Sequence, residues 1–296
     1  MQQSTPARDC PGPDPDTRRP RIAPPPLACD CHAHVFGPTE RFPYVEGRSF
    51  TPPQALAPAY RRMLDVLGVQ RSVIVHGSVH GTDNRPSAEA IAELNRLRPD
   101  SCRGIAVIDP ECTEAGIAQL HEQGFRGARM STVVKGGPGF GSLERIAARV
   151  RPFGWHLVVH VNRSSELVDL APRLLATGAT LVVDHVARVR GDEGITSPGY
   201  RCLLSLMDTG RCWVKLSALH RTSSQAWPWR DMQPLVEGVL RANPERVLWG
   251  SDWPHPNHYD AMPNDGELLD ALAEWIPDAA LRARVLVDNP AALYFA

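Results

Sequence analysis

The sequence predicts an α/β fold, a (β/α)8 TIM barrel in a single domain preceded by a disordered proline-rich arm. Three observations carry this. Eight short runs rich in β-branched and apolar residues alternate with segments of helical apolar spacing, the pattern of a parallel sheet with crossover helices. From Leu27 to the C-terminus no linker-like stretch interrupts the composition, so 27–296 reads as one unit. The first run ends in histidines, where a doubly wound open sheet would place a glycine-rich phosphate turn.

Residues 1–26 hold eight prolines among Arg, Asp, Thr and Gln, with little to bury, and are read as an arm without secondary structure. The first strand is placed at 28–36. The second strand, 72–78, is followed by a helix at 88–97; the third, 104–109, by one at 114–123; the fourth, 127–132, by one at 143–153. The fifth strand, 156–162, leads to a helix at 165–175, the sixth, 180–186, to 200–207, the seventh, 212–219, to 234–240, and the eighth, 247–253, to 268–275. Ser142 and Ser164 stand where helix caps belong, and Gly136-Gly137-Pro138 punctuates a loop. In such a barrel, function resides at the C-terminal ends of the strands.

Composition narrows the function. Acidic and basic residues nearly cancel, 33 against 32, so no global field recruits nucleic acid or anionic lipid. No apolar run reaches the roughly eighteen residues of a membrane span, and no signal-type segment opens the chain; a cytoplasmic protein is expected. The seven cysteines are odd in number and scattered, which reads as reduced thiols. Cys29 and Cys31 flank Asp30 and read as small apolar side chains on one strand face.

Chemistry gathers at the strand ends. The first strand reads Asp30-Cys31-His32-Ala33-His34, and alternation puts His32 and His34 on one face with Cys31 and Ala33 on the other. Two imidazoles so spaced can meet one divalent cation. The fifth strand ends at His160, the sixth at Asp184-His185 and the eighth at Ser251-Asp252. Such groups are costly to bury alone, so they are expected to meet one another, a metal or a substrate. Cations recur nearby: Arg126, Arg129 and Lys135, then Arg188 and Arg190, then Lys215, His220 and Arg221. Arginine's planar fork suits carboxylate or sulfonate recognition, and Arg129, Arg188 and Arg221 are the preferred three, with Arg126 serving if the strand's phase shifts by one residue. His76, Ser78 and His80 are placed on one face of the second strand, Ser78 as a substrate hydrogen-bond donor. His255 and His258 are read as a wall or lid outside any metal set.

H-x-H on strand one, His on strands five and six, and Asp on strand eight resemble the amidohydrolase superfamily, in particular the branch that includes 2-pyrone-4,6-dicarboxylate lactonase. The resemblance spans Leu27 to the C-terminus and is carried by Asp30-Cys31-His32-Ala33-His34-Val35-Phe36-Gly37-Pro38, Gly81-Thr82-Asp83-Asn84, Val183-Asp184-His185 and Val247-Leu248-Trp249-Gly250-Ser251-Asp252-Trp253-Pro254-His255-Pro256. It implies attack on an ester, lactone or amide by an activated water, with Asp252 as the base and His185 polarising the carbonyl. It implies one divalent ion, zinc or manganese, on His32, His34, His160 and Asp252, with metal-free catalysis as the alternative. Binuclear members bridge two metals with a modified lysine or a carboxylate at strand four; Phe125-Arg126-Gly127-Ala128-Arg129-Met130-Ser131-Thr132 offers none. An aromatic residue is expected at the position of His160 in the pyrone branch, so the imidazole points toward one metal and away from the pyrone itself.

The expected substrate is a small anionic lactone of pyrone dicarboxylate, muconolactone, sulfomuconolactone or aldarolactone type. Two alternatives accompany it: a metal-dependent non-oxidative decarboxylase of aromatic acids, and a barrel that binds a ligand without turnover.

Overall fold

The computed structural model describes residues 7–133 and 135–296. Eight parallel strands follow chain order around one sheet: β1 (Cys29–Ala33), β2 (Arg71–Val75), β3 (Cys102–Ala106), β4 (Phe125–Ser131), β5 (His156–His160), β6 (Leu181–Val183), β7 (Cys212–Leu216) and β8 (Val247–Trp249). Closure joins β1 to the end of β8, where Asp252 N–H donates to His32 O at 2.8 Å and His34 N–H to Trp253 O at 2.7 Å. Gly250 permits this approach: a Cβ there would lie 2.6 Å from His32 Cβ. The (β/α)8 expectation is met.

The outer layer comprises α1 (Ala57–Leu67), α2 (Arg85–Leu97), α3 (Glu114–Glu122), α4 (Leu143–Val150), α5 (Ser164–Ala176), α6 (Pro198–Asp208), α7 (Gln233–Ala242) and α8 (Asp265–Trp275), followed by α9 (Ala279–Ala283) and α10 (Asn289–Tyr294). The helices bury apolar stripes, as Leu143, Ile146, Ala147 and Val150 do on α4, although α3 buries only Ile117. Thr113 caps α3 through its side chain, whereas Ser142 and Ser164 make no such bond. Among the described residues no helix is long and apolar enough to cross a membrane, and all seven cysteines are free.

Inside the barrel, Cys29, Cys31, Val73, Val75, Ile105, Val158, Val182, Trp213 and Leu248 form a floor, closed from below by Tyr294. Cys29 and Cys31 are small fillers, in keeping with their sequence. One detail differs from strict alternation. The β1–β2 register shifts between Asp30 and Ala33, so Cys31 joins the interior floor beneath His32 while Ala33 alone packs outward. The second strand also ends sooner than its sequence suggests. Ser78–His80 forms a 3-10 turn, and His76 turns toward α2, Nδ1 lying 2.8 Å from Ser87 Oγ. His76, Ser78 and His80 therefore do not share a strand face.

The arm also departs from expectation. Residues 1–6 lie outside the described residues; residues 7–26 lack helix and paired strand, yet they are tied to the barrel rather than disordered. Cys10 N–H donates to Thr51 O at 2.9 Å, and Asn264 Nδ2 donates to Asp14 Oδ2 at 2.8 Å. Arg18 N–H donates to Asn264 Oδ1 at 2.9 Å, and Arg21 N–H to Asp270 Oδ1 at 2.7 Å. Backbone groups satisfied by the barrel's own side chains give this polar segment an order that its composition hides.

His156 stands in the interior beside Tyr294, and Gly127 opposite it has no room for a Cβ, which would fall 2.7 Å from the ring nitrogen. Burial pushes this histidine down to about 3, from an unfolded value near 6.5. The unfolded chain therefore binds a proton that the native state refuses. The associated stability is complete above about pH 6.5 and declines, by up to about 1.4 kcal/mol per pH unit, as the pH falls toward 3. Urea midpoints should drop between pH 7.5 and 5, and His156→Asn should flatten that drop; an unaltered slope would remove His156 from the account.

Candidate active site

The C-terminal rim of the barrel gathers side chains from seven of the eight strands or the turns that follow them. His32 Nε2 and His34 Nε2 lie 3.6 and 3.7 Å from Asp252 Oδ1. The His185 ring is centred 4.7 Å from that of His32, and His160 lies 5.2 Å from His185. Arg221 Nη2 stands 2.8 Å from Asp252 Oδ2, a close ion pair whose N–H is not aimed at the oxygen. The cleft above is lined by His34, Ser78, Arg129, His160, His185, Arg188, Arg221 and Asp252, with Phe36 and Phe50 as apolar walls.

Each ring is oriented from behind. His34 Nδ1–H donates to Val75 O at 2.7 Å, leaving Nε2 as a lone pair toward Asp252. His185 Nδ1 meets Ser217 Oγ at 2.8 Å. Beneath His32 is a triangle: Nδ1 lies 3.2 Å from Lys215 Nζ and 3.2 Å from Asp184 Oδ1, and those two are 3.2 Å apart. Arg129 Nε reaches Asp184 Oδ2 at 3.3 Å. Lys215 and Asp184 are both 0% exposed, so this is a buried ion cluster supporting the rim.

Asp30, at the foot of the H-x-H strand, supports it on the other side. Its Oδ1 accepts from Ser251 N–H at 2.9 Å and His32 N–H at 3.1 Å, and its Oδ2 accepts from Ser251 Oγ at 2.6 Å and Tyr60 OH at 2.9 Å. These bonds pin the Ser251-Asp252 turn to β1. The rim also holds strained backbone. His185, Val186, Ala187 and Arg188 run consecutively through left-handed φ of 55°, 48°, 54° and 54°, and Asp252 has φ 66°. Each costs on the order of 1 kcal/mol, and such outliers cluster where side-chain aim matters.

Electrostatics separates the groups. Burial raises the Asp252 carboxyl, but the Arg221 guanidinium beside it leads the opposing influences, and together they hold it well below the usual carboxylate range. Asp184 behaves likewise: burial is opposed and overcome by Lys215, His32 and Arg129. Burial pushes His185 down to about 4 and His160 well below its ordinary value, Arg129 reinforcing the latter. The rim thus presents neutral imidazoles beside an ionised carboxylate.

Donor atoms of His32, His185 and Asp252 lie within 4.8 Å of one another, and the buried His32 Nε2 has no hydrogen-bond partner among the described residues. Two neutral imidazoles and a carboxylate fit a single divalent ion, with His34 alongside. His160, expected in that set, is not brought into it. Arg129 Nη2 lies 2.8 Å from its Nδ1, and a guanidinium can only donate, so the His160 proton sits on Nε2 and leaves no lone pair facing the cluster. His185 takes the third place instead.

Of the expected substrate residues, Ser78, Arg129, Arg188 and Arg221 all line the cleft. Arg126 does not. It lies three positions before Arg129, on the opposite strand face, and its Nη1 donates to His121 O and Phe125 O near the base of the barrel. Asp30, Asp184 and Lys215, visible in the sequence as charges on or beside the strands but given no role there, are the groups that support the rim. Their signal was an ionisable side chain within an otherwise apolar strand.

The amidohydrolase family profile matches residues 29–296. The chain belongs to the amidohydrolase family. It is 34% identical over 292 residues to the 4-sulfomuconolactone hydrolase of Rhizobium radiobacter, covering 96% of this chain and 95% of that one. It is 35% identical over 289 residues to the 2-pyrone-4,6-dicarboxylate hydrolase of Comamonas testosteroni, covering 94% and 93%. Among solved structures, an Acinetobacter baumannii protein to which 2-pyrone-4,6-dicarboxylic acid hydrolase activity is ascribed, with citric acid bound, superposes with a TM-score of 0.78 at 26% identity, covering 91% of this chain and all (100%) of that one. This amidohydrolase is therefore similar along nearly its whole length to proteins named for lactone hydrolysis.

Proposed function

We propose that this amidohydrolase opens a small anionic lactone by hydrolysis. The observation that carries the reading is the meeting of one buried, ionised carboxylate with three guanidinium groups in a single cleft: Asp252 with Arg129, Arg188 and Arg221. Three fixed cations around a hydrolytic rim suit a substrate with carboxylate or sulfonate groups, and the names of the relatives supply candidates: pyrone dicarboxylate and sulfomuconolactone, with muconolactone and aldarolactone types beside them.

Arg129, Arg188 and Arg221 hold the anionic substituents, and Ser78 donates a hydrogen bond at the opposite wall. With its Nδ1 held by Ser217, His185 has Nε2 free to polarise the lactone carbonyl directly when no ion is bound, and to hold the ion when one is. Asp252 takes a proton from the attacking water and returns it to the ring oxygen as the acyl C–O bond breaks. While Arg221 pairs with it, Asp252 is a weak base; a substrate anion that engages Arg221 relieves this and makes the carboxylate more basic when it is needed. His32, His185 and Asp252 would hold one zinc or manganese ion, which when bound polarises the carbonyl and makes the water more acidic.

The test is turnover on a panel of carboxylated and sulfonated lactones, following acid release, with metal content measured on the same preparation. Acid release from at least one member, with about one divalent ion per chain, is the expected result. Full activity in metal-free protein would remove the ion but retain Asp252. Carbon dioxide evolution from aromatic acids, with no lactone opened, would replace this reading by a decarboxylase.

A further inference from the structure

The reactive cleft is small. It encloses about 50 Å³, well short of the roughly 300–1,000 Å³ of typical ligand sites. A second space of about 560 Å³ adjoins it, and the two share Arg188, Arg221 and Asn257 as a common wall. Beyond that wall lie His220, His258, Trp227 and Trp229.

Several polar groups here lack hydrogen-bond partners. Arg188 makes no hydrogen bond or ion pair among the described residues, and the Arg221 guanidinium beside it is already drawn to Asp252. His220 has both ring nitrogens buried and unpartnered. Its ring is held edge-on to His258 (5.2 Å) and His255 (5.8 Å) and against Trp229 (5.7 Å). Of the neighbouring histidines, His255 Nε2 meets Asp265 at 3.1 Å and His258 Nε2 meets Ala261 O at 3.1 Å, while the buried His255 Nδ1 also has no partner among the described residues. Unmatched buried polar groups are costly, so an unpartnered imidazole lining the same chamber as Arg188, which has no hydrogen-bond partner of its own, suits a ligand that supplies acceptors to both. Burial, His255 and Arg221 hold His220 neutral, which leaves it one N–H to donate. The exposed Asp260 also lines the chamber, where it would repel an anion that came close.

We infer that the substrate is a lactone with a carboxylate-ended side arm, which passes between Arg188 and Arg221 into the outer chamber and ends against His220. This rests on the lactonase reading and makes it more specific: the ring sits in the inner cleft, and arm length is read by the chamber. His220 is accordingly a specificity-determining residue.

The test is a series of unsaturated five-membered lactones bearing an ω-carboxylate on one to six methylenes. For the parent protein, kcat/KM should rise about tenfold from the one-methylene member to an intermediate optimum, the worth of one charge-assisted hydrogen bond, and fall again for the longest. In His220→Leu the ratio of optimum to one-methylene member should fall to about one, while His220→Gln, which keeps a donor, should retain it. A fold defect would lower all members together and leave the ratio unchanged. Turnover without length dependence, or a parent-like ratio in His220→Leu, would overturn the inference while sparing the lactonase reading. No turnover across the series would overturn both.

Discussion

Asp252→Asn is expected to lower kcat by about three orders of magnitude, within the range for losing a positioned base, and to leave the fold intact. The amide matches the carboxylate in shape, so the turn held by Ser251 and Asp30 has no steric reason to move. What is lost is the charge that accepts the water proton and faces Arg221. Steady-state kinetics with circular dichroism on the same preparation would check this. Retention of more than about a tenth of the parent kcat would take Asp252 out of the proton-transfer role, given the size of that effect.

Lys215→Met is expected to be the most destabilising single change at the site. The ammonium is fully buried and matched by Asp184 at 3.2 Å; without it Asp184 keeps only Arg129 at 3.3 Å and the His32 ring. Breaking a buried pair by removing one partner costs about 3–5 kcal/mol. For a chain of this size that corresponds to a melting temperature lower by roughly 10 °C. The exposed Arg61–Asp65 pair on α1, 2.8 Å apart, is the control: Arg61→Ala should cost less than about 1 kcal/mol despite the shorter contact. Turnover should also fall in Lys215→Met, since Asp184, which faces His32 Nδ1 at 3.2 Å, loses the cation that holds it in place. Thermal melts of the three proteins would decide; equal melting temperatures for Lys215→Met and the parent would mean that the cluster contributes nothing to stability.

The legibility of this chain followed physical lines. Strand identity was readable because β-branched runs such as Leu157-Val158-Val159 differ in composition from the amphipathic helices between them, and the order of the barrel follows from that alternation. The rim residues His32, His34, His185, Arg129, Arg188, Arg221 and Asp252 were visible because ionisable groups at or just beyond the ends of apolar strands need an explanation. Three features were not. The register shift in β1, which stacks Cys31 beneath His32, has no local sequence mark. The place of Arg126 depends on strand phase, which a single residue of ambiguity reverses. The order of residues 7–26 comes from partners more than two hundred positions away, Asn264 and Asp270, which composition does not register. Lys215 and Asp184 fall between: both were visible as charges, but only the barrel's curvature makes them neighbours of His32 and of each other.

Oxygen-18 water tests the central claim most directly. If the rim activates a solvent molecule toward a lactone carbonyl, ring opening in labelled water should place one heavy oxygen in the newly formed carboxylate and none in the released hydroxyl, with one acid equivalent per ring opened. Label in the hydroxyl carbon's oxygen, or ring opening at the same rate in Asp252→Asn, would contradict it.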